Sequence, residues 1–185
     1  MVKEDDKGNV KPIEDYHYYL FHQDFTTDST ASAIKFILER NLMRSPPKMM
    51  KIIFNSIGGD LPSAFALIDI MKGSKVPIYT YGLGIIASCG LVAFMAGAKG
   101  KRIITPNTSI LSHQFSWGSW GKAHELMAST KEYSNTTHRM IEHYKKCTGL
   151  DEKQIKKYLL PPEDVWLTPQ EAVKYGIADE ICEYY

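Results

Sequence analysis

The sequence predicts an α/β domain. Short apolar and β-branched runs alternate with longer segments whose apolar residues recur at helical spacing. Glycine and proline clusters punctuate the two kinds of run. This alternation argues for right-handed βαβ units around one core. A chain of 185 residues suffices for a single domain spanning 1–185.

Residues 1–15 are charged and turn-rich, so a mobile N-terminal segment is expected there. Residues 16–21 are aromatic and read as a strand. A helix follows, with Asp28, Ser29 and Thr30 as possible N-caps and Ile34, Ile37, Leu38 and Leu42 on one face. Ser45-Pro46-Pro47 ends it. Residues 49–55 read as a buried strand that runs into Ser56-Ile57-Gly58-Gly59. The next helix, 61–71, has Pro62 in its first turn, Gly73 just past its end, and apolar residues nearly all round, so it is expected to be buried. Residues 76–81 form a strand that Gly82 and Gly84 should break. The small-residue turn Ala87-Ser88-Cys89-Gly90 then opens a third apolar helix. Residues 102–105 and 109–113 read as two short strands around Pro106-Asn107. Residues 122–147 predict one long polar helix. Its apolar residues are too sparse for a full stripe, so it should project or lie at an interface, with His124, His138 and His143 solvated. Thr168-Pro169-Gln170-Glu171 is a capping box that starts a last helix, closed by Gly176.

Composition narrows the function. Lys and Arg number 22 against 21 Asp and Glu, without a basic stripe, so a nucleic-acid partner is not expected. The longest apolar stretches, such as 89–98, are too short to span a bilayer, and the N-terminus lacks a signal-peptide core. Three cysteines without paired-ligand spacing imply a reducing cytoplasm, no disulfide framework and no metal site. No cofactor motif is found.

Four features carry possible chemistry. Ser88 sits where a strand meets a helix, beside the free N–H groups of the first turn. That placement suits an acyl-transfer nucleophile with oxyanion donors nearby, and it equally suits a helix N-cap. Gly58-Gly59 after a buried strand permits close backbone approach and offers the Gly59 N–H as a second donor, or is a plain turn. His113 ends a strand, as a general base or as a hydrogen-bonded structural residue. Asp164 follows two prolines and precedes the capping box. It could hold a histidine tautomer or be a loop acid, with Glu163 as its neighbouring competitor.

Their order resembles the Clp protease proteolytic subunit family. Residues 84–114 carry its serine turn at Ser88, its AGAKGKR run at 96–102, its Pro106-Asn107 turn and its His113-Gln114 strand end. Asn55-Ser56-Ile57-Gly58-Gly59 resembles the family's NSPGG turn, and 164–172 its D-x-F-L-S-x-x-E-A segment. The resemblance spans roughly 18–183. It implies a Clp/crotonase-like spiral of ββα units with 122–147 as a protruding handle helix. It implies a serine endopeptidase with Ser88, His113 and Asp164 as the triad and the Gly59 and Cys89 N–H groups as the oxyanion hole. Residues 115–121 become a substrate-aligning strand and ring-to-ring contact, with Gly58, Phe115 and Trp117 against the peptide. Subunits are implied to form seven-membered rings stacked into a homo-oligomeric tetradecamer that encloses unfolded protein. A structural ring subunit that does not cut is the alternative; a crotonase-like acyl-CoA enzyme leaves the serine, histidine and aspartate without roles.

Three positions depart from the family pattern. Ile57 and Phe115 replace prolines, and Cys89 replaces a residue that is often methionine. Trp117 and Trp120 should narrow the groove. The segment before the first strand is short for both the family's axial loop and its first helix, which sets it against the AAA+ unfoldase partner that the resemblance implies.

Overall fold

A computed structural model describes residues 11–183. The expected mobility of 1–15 falls mainly on residues 1–10, outside the described residues; Ile13–Tyr16 forms one 3₁₀ turn. In chain order the elements are β1 (Tyr18–Phe21), α1 (Thr27–Leu42), β2 (Met50–Ser56), α2 (Leu61–Gly73), β3 (Ile78–Ala87), α3 (Cys89–Phe94), β4 (Arg102–Ile104), β5 (Ser109–Ser112), α4 (Ala123–Thr148), α5 (Glu152–Tyr158), β6 (Val165–Leu167), α6 (Pro169–Lys174) and β7 (Glu180–Ile181). This is the α/β architecture, with a long helix, that the sequence implies.

One seven-stranded sheet organises the chain, in the order β1-β2-β3-β4-β7 with β5 and β6 branching from β3. Every pairing is parallel except β5 with β6. The long strand β3 shares one edge with two partners in turn. Its first half, at Thr80–Gly82, pairs β4, and its second half, at Ile85–Ala87, pairs β5. β2 alternates buried and half-buried residues, so Met50, Ile52 and Phe54 enter the core that α1, α2 and α3 cover. Full burial of a side chain such as Phe54 contributes about 1.5–3 kcal/mol.

Several boundaries differ from the sequence reading, each for a local reason. The strand expected at 76–81 does not break at Gly82 and Gly84 but continues to Ala87. Gly84 adopts φ +62° where the β2–β3 register shifts, and the Asn55 carboxamide oxygen accepts the Ile85 N–H at 3.2 Å, so a side chain bridges the irregularity. α1 is capped by Thr26, whose side chain accepts the Ser29 N–H, rather than by residues 28–30. Gly73 lies inside the end of α2, and Ser74 caps it. α5, β6 and β7 were not anticipated. α5 begins with a reciprocal Asp151–Gln154 box, while β6 and β7 are only three and two residues long.

The long polar helix α4 is divided. Leu126, Met127 and Tyr133 in its first half are exposed. In its second half Thr136, Met140, Ile141, His143 and Tyr144 are buried. His143 is therefore not solvated. Its Nε2 lies 2.8 Å from the Val92 carbonyl of α3 and its Nδ1 lies 2.9 Å from the Lys72 ammonium. Lysine has only donors, so Nδ1 accepts and the ring is neutral, with Nε2–H donating. Burial, then the positive charge of Lys72, pushes its pKa down to about 4. Among the described residues, no helix is long and apolar enough to cross a membrane.

Candidate active site

The site forms where the ends of β2, β3 and β5 meet. Ser88 follows β3 and precedes α3 with φ 53° and ψ −123°, a backbone conformation that is uncommon outside glycine. It occupies the N-cap position, yet its side chain makes no capping bond. A cap serine accepts a bond from the first turn; this hydroxyl is left free of that duty. The Ser88 N–H donates to the Leu111 carbonyl at 3.1 Å, which ties the turn to β5.

Two close backbone approaches fix the turn against β2. Gly58, at φ +109°, is buried against it, and a Cβ there would lie 2.7 Å from the Ser88 Cβ and 3.1 Å from the Cys89 nitrogen. A Cβ on Gly90 would lie 2.7 Å from the Ser56 carbonyl oxygen. Gly59, at φ +138°, bridges Phe25. That bridge uses the Gly58 carbonyl and the Asp60 N–H, which leaves the Gly59 N–H outside it. Cys89 is the first residue of α3, so its N–H has no intrahelical acceptor. Two backbone donors, Gly59 and Cys89, thus border Ser88. The buried Cys89 thiol donates to the Gly59 carbonyl at 3.2 Å, and burial pushes its pKa up to about 11, so it stays protonated near neutral pH.

His113 lies one residue beyond β5, and Asp164 one residue before β6. The antiparallel pair Ser112–Val165 sets the two opposite each other. His113 Nδ1 stands 3.6 Å from an Asp164 carboxylate oxygen, an ion-pair separation longer than a hydrogen bond. The His113 Nε2 is buried and meets no hydrogen-bond partner among the described residues. Glu163 is exposed, and of the two neighbouring acids it is Asp164 that stands within ion-pair distance of His113.

Three further residues, to which the sequence reading gave no role, hold this arm. The Ser112 hydroxyl donates to the Leu159 carbonyl at 2.6 Å and lies 2.9 Å from the Tyr144 hydroxyl. The Gln114 amide donates to the Leu160 carbonyl at 3.0 Å. Nothing in the sequence signals Ser112 or Tyr144, because both act through burial; Gln114 was visible only as the neighbour of His113.

Ser88, Cys89, Gly59 and His113 line a single open cleft of about 780 Å³, together with Phe115 and Trp117. Gly58 lies behind the wall rather than on it. Residues 115–121, expected as a strand, form none. Instead Phe115 and Trp117 fold onto α4, with their rings 5.3 and 6.1 Å from that of Tyr133, and the Trp117 indole donates to Ser129. Parallel and antiparallel strands need a partner for their backbone groups, and this segment has none within one chain. Trp120 is 91% exposed and lies off the cleft. Among the described residues, no group of three or more His, Cys, Asp or Glu is placed to hold a metal.

A family model described as Clp protease matches residues 19–185. The chain is similar to ATP-dependent Clp protease proteolytic subunit 2 of Corynebacterium diphtheriae, 36% identical over 138 residues, covering 75% of this chain and 68% of that protein. It is similar to the ATP-dependent Clp protease proteolytic subunit of Deinococcus radiodurans, 31% identical over 140 residues, with coverages of 76% and 68%. Proteolytic subunit 1 of Chlamydia caviae is 32% identical over 173 residues, covering 92% of this chain and 89% of that protein. With a family match over nearly its whole length, and Ser88, Gly59 and His113 gathered on one cleft, the chain belongs to the Clp protease family.

Proposed function

We propose that this protein is a serine endopeptidase that acts on peptides or unfolded protein. The observation that carries the reading is the Ser88 turn: an uncapped hydroxyl on a strained backbone, bordered by two backbone N–H groups, on a cleft shared with His113. In the reaction, Ser88 Oγ attacks the scissile carbonyl and His113 Nε2 takes its proton. The Gly59 and Cys89 N–H groups stabilise the tetrahedral oxyanion. His113 returns the proton to the leaving amine, and water then hydrolyses the acyl-enzyme with the same base. Asp164 keeps Nδ1 protonated so that Nε2 is the basic atom. The unpartnered Nε2 fits this role, since catalytic hydrogen bonds tighten as substrate binds.

The assembly we assign is a homo-oligomeric tetradecamer of two stacked seven-membered rings, with the cleft facing an enclosed chamber. The relatives' names include ATP dependence, which points to an ATP-driven unfoldase as the class of partner. Ser88→Ala is expected to lower peptide cleavage by about 10⁶-fold while the particle mass stays unchanged. A variant that cleaves at the parent rate sinks the reading.

The second reading is a ring subunit that does not cut, and the 3.6 Å His113–Asp164 separation favours it. A fluorophosphonate probe separates the two, because an unactivated serine does not react.

A further inference from the structure

We propose that Gln114 and Ser112 are positioning residues for His113, which set its distance to Asp164 by holding the connection between α5 and β6. The proposal rests on the peptidase reading above.

His113 and Asp164 both stand just outside the strands that bring them together. The β5–β6 ladder has three residue pairs, Ile110–Leu167, Leu111–Trp166 and Ser112–Val165. Neither member of the His–Asp pair belongs to it, so the ladder alone leaves their separation loosely determined. Two side chains close the gap. Ser112 and Gln114, the residues on either side of His113, donate to consecutive carbonyls, those of Leu159 and Leu160. These carbonyls lie at the C-terminal end of α5, where a helix leaves its last C=O groups without internal partners. From Leu160 the chain reaches Asp164 through Pro161, Pro162 and Glu163, and each proline fixes its own φ. A shift of the Leu159–Leu160 carbonyls is therefore passed along a stiff connection to Asp164. Ser112 is fully buried and is backed by Tyr144, so its bond has little freedom. Gln114 is exposed and reaches Leu160 from the other side of His113. The two bonds bracket the base and clamp its strand to the segment that carries its acid.

The simpler account is that both side chains only satisfy the free carbonyls of α5. The two roles differ in what they do to His113. A loosened clamp misplaces the base relative to Ser88, so kcat per intact active site falls while KM holds. Loss of a purely structural bond lowers the fraction of folded, active protein and leaves kcat per active site in place.

The test uses the full-length protein with Gln114→Met, which keeps length but removes the donor at an exposed position, and Ser112→Ala as the second variant. Active sites are counted with a fluorophosphonate probe, and kcat and KM are measured on a fluorogenic peptide. For Gln114→Met, kcat per labelled site is expected to fall about tenfold with KM within about twofold, below the roughly 10²-fold that a 1 Å misplacement can cost. Ser112→Ala should move kcat per labelled site the same way. If Gln114→Met matches the unmodified protein in kcat per site, the positioning role is overturned while the peptidase reading stands. If the unmodified protein neither labels at Ser88 nor cleaves the peptide, the peptidase reading fails and takes the positioning role with it.

Discussion

The two walls of the cleft are built by different means. The Ser88 wall is made of backbone. Gly58 and Gly90 press β2 against the turn at distances that leave no room for a Cβ, and the thiol of Cys89 ties α3 to Gly59. The facing wall is made of side chains. Phe115, Trp117 and Tyr133 pack on one another against α4, and the His113–Asp164 pair stands at 3.6 Å with Asp164 61% exposed. Backbone packed at contact distance has few alternatives, so the first wall is rigid by construction. Aromatic rings on an exposed helix can re-pack, so the second wall depends on what is bound to it. Under the proposed mechanism, the Gly59 and Cys89 donors are thus held by backbone packing, while the aromatic side of the cleft has room to adjust.

The contrast is most sharply tested at Gly58. Gly58→Ala adds a Cβ that clashes with Ser88 and adopts φ +109°, which costs about 1–3 kcal/mol in backbone strain alone. Peptide cleavage is expected to fall by about 10³-fold, the scale of an oxyanion-hole loss, with a lower Tm. An alanine variant with the parent rate would break the distinction between the walls. On the side-chain wall, Asp164→Asn should lower kcat by about 10²-fold, less than for a fully buried triad aspartate because Asp164 is exposed. Its unfolding free energy should change by less than about 0.5 kcal/mol, and a denaturant melt checks this.

A smaller effect is expected behind the rigid wall, where His143 bonds the Val92 carbonyl of α3. Its pKa is lowered in the folded protein to about 4, from an ordinary value of 6.5. The neutral form is the one that the fold accepts, so its stability is fully present above about pH 6.5 and is lost as pH falls from there towards 4. The loss is about 1.4 kcal/mol for each unit of pH. His143→Gln should flatten that slope in urea melts at pH 6.5 and 5; an unchanged slope removes His143 from the account. Least affected should be Trp117→Ala, with KM for a fluorogenic peptide shifted about threefold and Tm within a degree or two, since the ring is 45% exposed.

The same division explains what the sequence disclosed. Features written in backbone rules were legible: apolar periodicity located β2 and α2, and the small residues around Ser88 and the Gly58-Gly59 pair marked the serine turn. Features that depend on which side chain finds which partner were not. Gly82 and Gly84 read as strand breakers because the carboxamide of Asn55, which bridges the irregularity in β3, is about 30 residues away in the chain. His143 read as solvated because α4 is polar overall, and its burial follows from the docking of only the second half of the helix. β6 and β7 were too short for any periodicity to show. The 115–121 segment was expected as a strand from resemblance, and one chain supplies no partner to make it one.

The division of α4 has a mechanical consequence. Its root is fastened by His143 to α3, by Tyr144 to the residue before His113 and, at Cys147, by Arg102 of β4, while the half from Ala123 to Asn135 stands clear of the core. It is a cantilever. A load on the free end bends it about the line near Thr136 and leaves the fastened end still, but a load that twists the whole beam is delivered to Val92 on one side and to Ser112 on the other. Those two residues stand on α3 behind Ser88 and immediately before His113, so torsion at the root reaches the serine and the histidine, whereas bending at the tip reaches the aromatic side of the cleft through Tyr133 and Ser129.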